Sequence, residues 1–576
     1  MNMTHALKKA PYGQASFTTL REFDFAYVDK TKFIPVLEEC GTFFPFIVRP
    51  RRFGKSVFAD MLTAYYDRAA AQNFKTNFSG TWIGKHPTPL ANQFLVLKFD
   101  FSGISNGENL ILNFIQKVKD GMQDFVLRYL PQDRQMQDVL DAEYTSPVTL
   151  LLEFLRLVPV KIKGKLYLII DEYDQFAQEV LSRDPERFRA MTGAEGFLKA
   201  FYACLKEATL KKIGRIYITG VTSISLDSMT SGFNIAKNLS ASPMCAAVFG
   251  FTHDELRGLI PQIVDVERYG HSVDEIFDRM KVLYDGYRFS AKSDVTVFNS
   301  SMCLYYLGEI ADTNEEPEVL LDPAFSVDLS KIEGLLSLGR REFVDNVVSK
   351  VLMDQSISIG TLSGAINLNA SAALSDDDLL TALVFMGFLT FSQENSSRLV
   401  CPNLAVKEVF FNYWFQWIGK GNRLSFPSSD LARAMQKLES GDAAPILKLV
   451  SERLTQCVGS HAHAHLSETV IQFAVCMALN TSWNYKVTVE EEAMGSGFTD
   501  LVLRPNKRRP DVAGWLIEFK YLKKSEAKQT AIDAKLDEAA EQLTRYAAAE
   551  NIANIPNLRK AAVVFAGTEL KGLKVF

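Results

Sequence analysis

Up to about residue 240 the chain alternates short, uninterrupted apolar runs with segments of helical periodicity, and this alternation constrains the fold more than any other feature. Phe43 to Val48, Gln93 to Phe101, Lys165 to Ile170 and Arg215 to Val221 read as strands. Ser56 to Asp67 and Ala194 to Thr209 read as helices between them. A strand that is apolar at successive positions is covered on both faces. It belongs in a parallel sheet sandwiched by helices, which predicts an α/β architecture here.

From about residue 250 the pattern turns helical. Thr252 followed three residues later by Glu255 predicts a capping box that opens a helix. Residues 330–425 continue as short helices; Leu379 to Leu389, then Thr390, Phe391 and Arg398 to Cys401, read as a helix with a β-wing. Pro427 and its polar surroundings mark a boundary, and the remaining residues return to mixed α and β. The expected domains are 1–245, a parallel-sheet domain; 246–330, a helical lid; 331–425, a helical, winged-helix-like region; and 426–576, a second α/β domain.

A chain of 576 residues can bury several independent cores. Its net charge of -5 gives no global nucleic-acid signature, so any such contact must come from local basic patches. Cys40, Cys204, Cys245, Cys303, Cys401, Cys457 and Cys476 are scattered with no CxxC pair, which argues against a disulfide framework or a zinc site. Met1 to Gly13 lacks the apolar core of a signal peptide, and no run of about 18 uncharged apolar residues reads as a membrane span. The expectation is a cytoplasmic protein.

Residues 46–58 read Phe-Ile-Val-Arg-Pro-Arg-Arg-Phe-Gly-Lys-Ser-Val-Phe, a strand, a loop, then Gly54-Lys55-Ser56 opening a helix. Loop amides and a helix N-terminus hold phosphate oxygens; Lys55 would meet the β/γ-phosphates and Ser56 would ligate Mg²⁺. Arg49 stands where such loops carry their first glycine. Alone, the triplet also fits a basic helix cap. Leu166-Tyr-Leu-Ile-Ile-Asp171-Glu172 adds an apolar strand ending in two acids. Asp171 suits Mg²⁺ and Glu172 the orientation of an attacking water. The strand that follows ends in Thr219 and Thr222, where a polar sensor of the γ-phosphate is expected.

Tyr27-Val-Asp-Lys-Thr31, Arg49-Pro-Arg-Arg-Phe-Gly-Lys-Ser56, Ile170-Asp-Glu-Tyr-Asp174 and Thr219-Gly220 together resemble the divergent AAA-ATPase-like family found in bacteria. Tyr284-Asp-Gly-Tyr-Arg288, Phe298-Asn299 and Met386-Gly-Phe-Leu-Thr390 are similar to its later motifs. The resemblance implies a P-loop NTPase parallel sheet in which Arg49 is ordinary. It implies an ATP and Mg²⁺ site drawn from Arg51, Arg52, Gly54, Lys55, Ser56, Asp171 and Thr219, with Glu172 catalytic. It also implies a homo-oligomer and a C-terminal PD-(D/E)XK nuclease domain. Arg288, in the later motif, is a candidate γ-phosphate sensor or else a surface ion pair.

Near the C-terminus, Phe498-Thr-Asp-Leu-Val-Leu and Trp515-Leu-Ile-Glu-Phe-Lys-Tyr read as a hairpin joined by a loop containing Lys507-Arg-Arg-Pro510. Glu518 and Lys520 are two apart on a strand, so they share a face, with Asp500 opening the neighbouring strand. Asp500 and Glu518 are the expected ligands of Mg²⁺ or Mn²⁺, and Lys520 the lysine that stabilises a phosphodiester transition state. A cross-strand salt bridge has the same pattern. Gly495-Ser-Gly497 permits close backbone approach before Asp500. Gln542 and Tyr546 lie four apart on one helix face, and Q-x-x-x-Y after D…E-x-K is similar to the RecB-like branch of PD-(D/E)XK nucleases. Glu468 on the helix Ser467 to Asn480 is either that branch's upstream acid or a surface acid.

Arg504, Lys507, Arg508, Arg509, Lys520, Lys523, Lys524 and Lys528 make Leu501 to Thr530 locally basic, fit for a phosphate backbone or a solvated face. His461, His463 and His465 have no partner at zinc spacing. Phe410 to Trp417 reads as core. The reading is an ATPase joined to a metal-dependent nuclease acting on DNA or RNA, gated by ATP state, in a bacterial defence or mobile-element setting by analogy. The alternative is a nucleotide-switched binding or signalling protein with an inactive nuclease fold.

Overall fold

The computed structural model describes residues 6–105, 107–193, 195–222, 234–317, 334–352, 355–360, 362, 374–418, 424, 426–457, 467–479, 484–493, 497–506, 509 and 511–576. The chain divides into two compact units, Met1–Val347 with Ser356–Val406, and Val348–Gln355 with Lys407–Phe576.

The first unit is built on strands β1 (Pro45–Val48), β2 (Leu95–Asp100), β3 (Leu166–Asp171), β4 (Ile213–Gly220) and β5 (Lys237–Asn238). They lie in the order β2-β3-β4-β1-β5, and every pairing is parallel. The expected strands are present within a few residues of their read boundaries. Every residue of β1 and β3 is buried, as their unbroken apolar sequences require. Helix α1 (Lys55–Tyr66) follows β1 after a six-residue loop, Arg49 to Gly54, so the loop sits at the carboxyl end of a central strand. That end is where open α/β sheets bind ligands.

The helical part of this unit contains α2 (His253–Ile263) and α3 (Ser300–Thr313). Thr252 and Glu255 form the capping box expected of them. Helix α4 (Asp376–Phe385) leads into β7 (Thr390–Phe391) and β8 (Arg398–Val400), and β6 (Ile357–Ser358) pairs on the outer side of β8. This is the expected helix and wing. The helix stops before the predicted Leu389 because Gly387 takes a φ of 82°.

The second unit carries a mixed sheet in the order β13-β12-β11-β10-β9. Its strands are β9 (Tyr485–Ala493), β10 (Gly497–Pro505), β11 (Trp515–Leu522), β12 (Arg559–Ala566) and β13 (Glu569–Val575). β9, β10 and β11 are antiparallel neighbours; β11 and β12 are parallel, linked through helix α6 (Gln529–Ala547). Val502, Leu516, Ala539, Leu543, Tyr546 and Ala562 are buried in one cluster that joins α6 to the sheet. Trp515 is fully buried, and its indole donates to Leu438 O. Helix α5 (Glu468–Leu479) precedes the sheet in sequence. Phe410 and Phe411 are core residues, with Phe411 against Phe473 at 4.8 Å between ring centres. Among the described residues no helix is long and apolar enough to cross a membrane.

Candidate nucleotide and nuclease sites

Gly54 takes a φ of 87° as it caps α1, a turn that favours glycine. Lys55 is buried; its ammonium donates to Pro50 O at 3.1 Å and faces Glu172 Oε1 at 3.5 Å. The Ser56 hydroxyl lies near enough to the Asp171 carboxylate, at the end of β3, to favour its charged form. Burial first, and the neighbouring Glu172 charge second, push the Asp171 carboxyl up to about 6. Glu172 has a φ of 48°, and its Oε2 is buried without a hydrogen-bond partner. Lys55, Ser56, Asp171 and Glu172 are therefore together at one end of the sheet. Desolvated carboxylates beside an ammonium and a hydroxyl suit Mg²⁺ with its phosphates: the cation would balance the acids, and Lys55 would meet the phosphates.

Arg51 and Arg52 are half-buried in the loop, Arg52 with a φ of 69°. Arg49 turns inward. Its guanidinium is 1 % exposed, donates to Val48 O, Ser240 O and Cys245 O, and lies 4.4 Å over the Phe289 ring. Thr219 is fully buried, and its hydroxyl donates to Ile47 O on β1. Thr222 donates through both its amide and its hydroxyl to Asp174 Oδ2. Asp174 is a fully buried acid whose role the sequence analysis did not assign; it also accepts from Val221 N and so fixes the turn after β4. Its position in the Asp-Glu-Tyr-Asp string was the available signal. The Arg288 side chain is 3 % exposed; it donates to Ser293 O, Ser392 O and Ala291 O and also pairs at 3.3 Å with the exposed Asp294 carboxylate, so it clamps the wing and keeps one surface ion pair.

A mostly apolar cavity of about 90 Å³ opens beside Gly54, lined among others by Tyr27, Val57, Met61, Val248, Leu259 and Leu304. Sequence reasoning did not find it, because its walls come from segments more than 200 residues apart.

In the second unit, Asp500 Oδ2 accepts from Phe519 N at 2.7 Å, which ties β10 to β11 beside Glu518. Lys520 Nζ donates to Glu518 Oε1 at 2.9 Å, while Glu518 Oε2 is buried without a partner. Burial and the Asp500 charge push the Glu518 carboxyl up to about 7 against the pull of Lys520. The Lys520 ammonium is raised despite its burial, by Glu518 first and then by Glu468 and Asp500.

Glu468 is raised too, by burial first and then by Asp500, against the pull of Lys520 and of the Tyr521 backbone. The structure thus brings Glu468, Asp500, Glu518 and Lys520 into one electrostatic neighbourhood. Gln472, one turn past Glu468 and unassigned from sequence, donates to Asp500 O at 2.6 Å. Tyr546 packs on Gly497, where a Cβ would come within 3.2 Å of its ring and a φ of 112° already favours glycine. Gln542, half-buried one turn before it, has a buried Oε1 without a partner.

Among the described residues no three His, Cys, Asp or Glu side chains converge tightly enough to form a metal cage. A hard cation that keeps most of its waters needs only one or two protein carboxylates, and Asp500 with the unpartnered Glu518 Oε2 fits that requirement. The basic stretch is largely engaged. Arg504 donates to Asn551 O, Arg509 pairs with Asp511, and Lys524 pairs with Glu569. Gly495, Lys507, Arg508, His461, His463 and His465 lie outside the described residues.

Residues 11–230 match the family described as "AAA-ATPase_like: Predicted AAA-ATPase", and residues 466–574 match the PD-(D/E)XK nuclease superfamily. A protein of Azotobacter chroococcum mcd 1, named as an uncharacterized protein in the vnfD 5′ region, is 25% identical over 412 residues. The match covers 69% of this chain and 68% of that one. Sheet order, the Gly-Lys-Ser turn, the paired acids and the D…E-x-K hairpin agree with both matches. The chain joins an AAA-ATPase-like domain to a domain of the PD-(D/E)XK nuclease superfamily.

Proposed function

We propose that the protein binds and hydrolyses ATP in its first unit and cleaves nucleic-acid phosphodiester bonds in its second. The observation that carries the nuclease reading is Glu518, a desolvated carboxylate with one oxygen on Lys520, one unpartnered, and Asp500 close enough to raise it further. Asp500 and Glu518 would hold Mg²⁺ or Mn²⁺, and Lys520 would stand beside the scissile phosphate and stabilise its added charge. A bound divalent metal supplies a water of lowered pKa and neutralises that charge. Gln542 and Tyr546, on the helix face beside Gly497, would position the substrate strand. Intact Asp500, Glu518 and Lys520 favour this reading over an inactive nuclease fold.

In the first unit, Lys55 and the loop of Arg51, Arg52 and Gly54 would bind the phosphates, Ser56 and Asp171 would hold Mg²⁺, and Glu172 would orient the attacking water. The cavity beside Gly54 would take the base. Thr219 would support the site through β1, to whose carbonyl it is bonded. We further propose that ATP state controls cleavage.

The test is the purified full chain with Mg²⁺ or Mn²⁺ on a panel of DNA and RNA substrates. Cleavage should stop on adding EDTA. Asp500→Ala and Lys520→Ala should each abolish it while ATP binding persists. Undiminished cleavage by either variant would overturn the assignment.

A further inference from the structure

Phosphate-binding loops ordinarily use glycines to turn successive amides toward the ligand. Between Arg49 and Gly54 this chain has glycine only at the last position. Arg52 nonetheless adopts a φ of 69°, a conformation that a non-glycine residue keeps only where its surroundings impose it.

Those surroundings are specific. Arg52 O accepts from the Ser300 hydroxyl at 2.9 Å and from Ser301 N at 3.1 Å. Arg51 O accepts from Asn299 Nδ2 at 3.4 Å, Phe53 O from Gly250 N at 3.0 Å, and Pro50 O from Lys55 Nζ at 3.1 Å. Four consecutive carbonyls are thus captured. In a trans peptide the N–H points opposite to the C=O. Fixing the carbonyls of Arg51 and Arg52 therefore fixes the amides of Arg52 and Phe53 on the opposite side of the loop. Asn299 and Ser300 are both buried, and a Cβ on Gly54 would lie 3.7 Å from Ser300 Oγ. Asn299 has a second task, since its side chain also accepts from Met302 N as the cap of α3.

We propose that Asn299 and Ser300 are positioning residues of the ATP site, which hold the phosphate loop in shape by its carbonyls in place of the missing glycines. Their role presupposes the ATP-binding reading. It gives the Phe298-Asn299 motif a task and ties the start of α3 to the loop that meets the phosphates.

Titrating a fluorescent ATP analogue into the full chain tests this. Ser300→Ala removes one tie; Asn299→Ser removes the amide donor but keeps a helix-capping hydroxyl. Each should weaken binding about fivefold to tenfold while the melting temperature stays within about two degrees. In an Arg52→Gly background, Ser300→Ala should cost less than about twofold, because glycine holds a positive φ without help. Equal losses in both backgrounds, or wild-type affinity in both single variants, would overturn the role. A wild type that binds no more tightly than Lys55→Ala would overturn the ATP reading and this role with it. Binding lost in Lys55→Ala but kept in Ser300→Ala and Asn299→Ser would overturn this role alone.

Discussion

Glu518 and Lys520 lie two residues apart on β11, and the ammonium satisfies only one of the two carboxylate oxygens. The other is buried. The carboxyl titrates at about 7 rather than in the usual range near 4.5, so it binds a proton more tightly folded than unfolded. An acid raised in this way makes stability fall as pH rises through that interval and level off above it.

Glu518→Gln removes that titration. In EDTA, wild type should lose stability between pH 5 and pH 8, and the variant should lose less. At pH 8 the variant should be more stable by about 1–3 kcal/mol. Calorimetric melts of the full chain across this range measure both slopes, and parallel slopes would mean that Glu518 does not carry the proton. Mn²⁺ at pH 8 should raise the wild-type melting temperature and leave the variant nearly unmoved.

Glu172→Gln should keep ATP affinity within about twofold of wild type and slow hydrolysis by about a hundredfold or more, since an amide cannot serve as the water-orienting base. Single-turnover hydrolysis beside equilibrium binding separates the two effects. A wild-type rate would remove Glu172 from the reaction.

Arg49→Gly restores the usual first glycine of such a loop, yet it should harm the protein. The guanidinium is bonded to the carbonyls of Val48, Ser240 and Cys245, and its loss leaves them buried and unpaired. A loss of about 3–5 kcal/mol is expected on urea unfolding, with no gain in ATP affinity. An unchanged midpoint would show that the three bonds are dispensable.

If ATP state controls cleavage, wild-type rates should differ severalfold among ATP, ADP and no nucleotide, and Lys55→Ala should erase the difference. The time courses need free metal held constant, because ATP chelates Mg²⁺. Identical rates under the three conditions would leave two independent activities on one chain.

The parallel sheet was legible because β1 and β3 are apolar at nearly every position, and the capping box at Thr252 because a side chain and a backbone amide three residues apart suffice to form it. The D…E-x-K hairpin was legible because strand periodicity puts Glu518 and Lys520 on one face. Contacts between distant segments were not legible. The inward turn of Arg49 depends on carbonyls nearly 200 residues away, and the clamp formed by Arg288 depends on Ser392 in the wing. Glu468 could be read as a surface acid until α5 set it beside Asp500 and Lys520. Asp174 looked like one more polar residue after a strand, although Val221, Thr222 and Gln178 all donate to it.

Successive side chains on a strand point to opposite faces, so Asp171 and Glu172 should point apart. The left-handed φ of Glu172 breaks that alternation at the last step of β3 and leaves Glu172 facing Lys55 while Asp171 meets Ser56. Glycine or asparagine would hold the same backbone with less strain. If Glu172 orients the attacking water as proposed, position 172 is one where selection for catalysis and selection for thermostability favour different residues, and stabilising substitutions drawn from backbone preference alone would disarm the site.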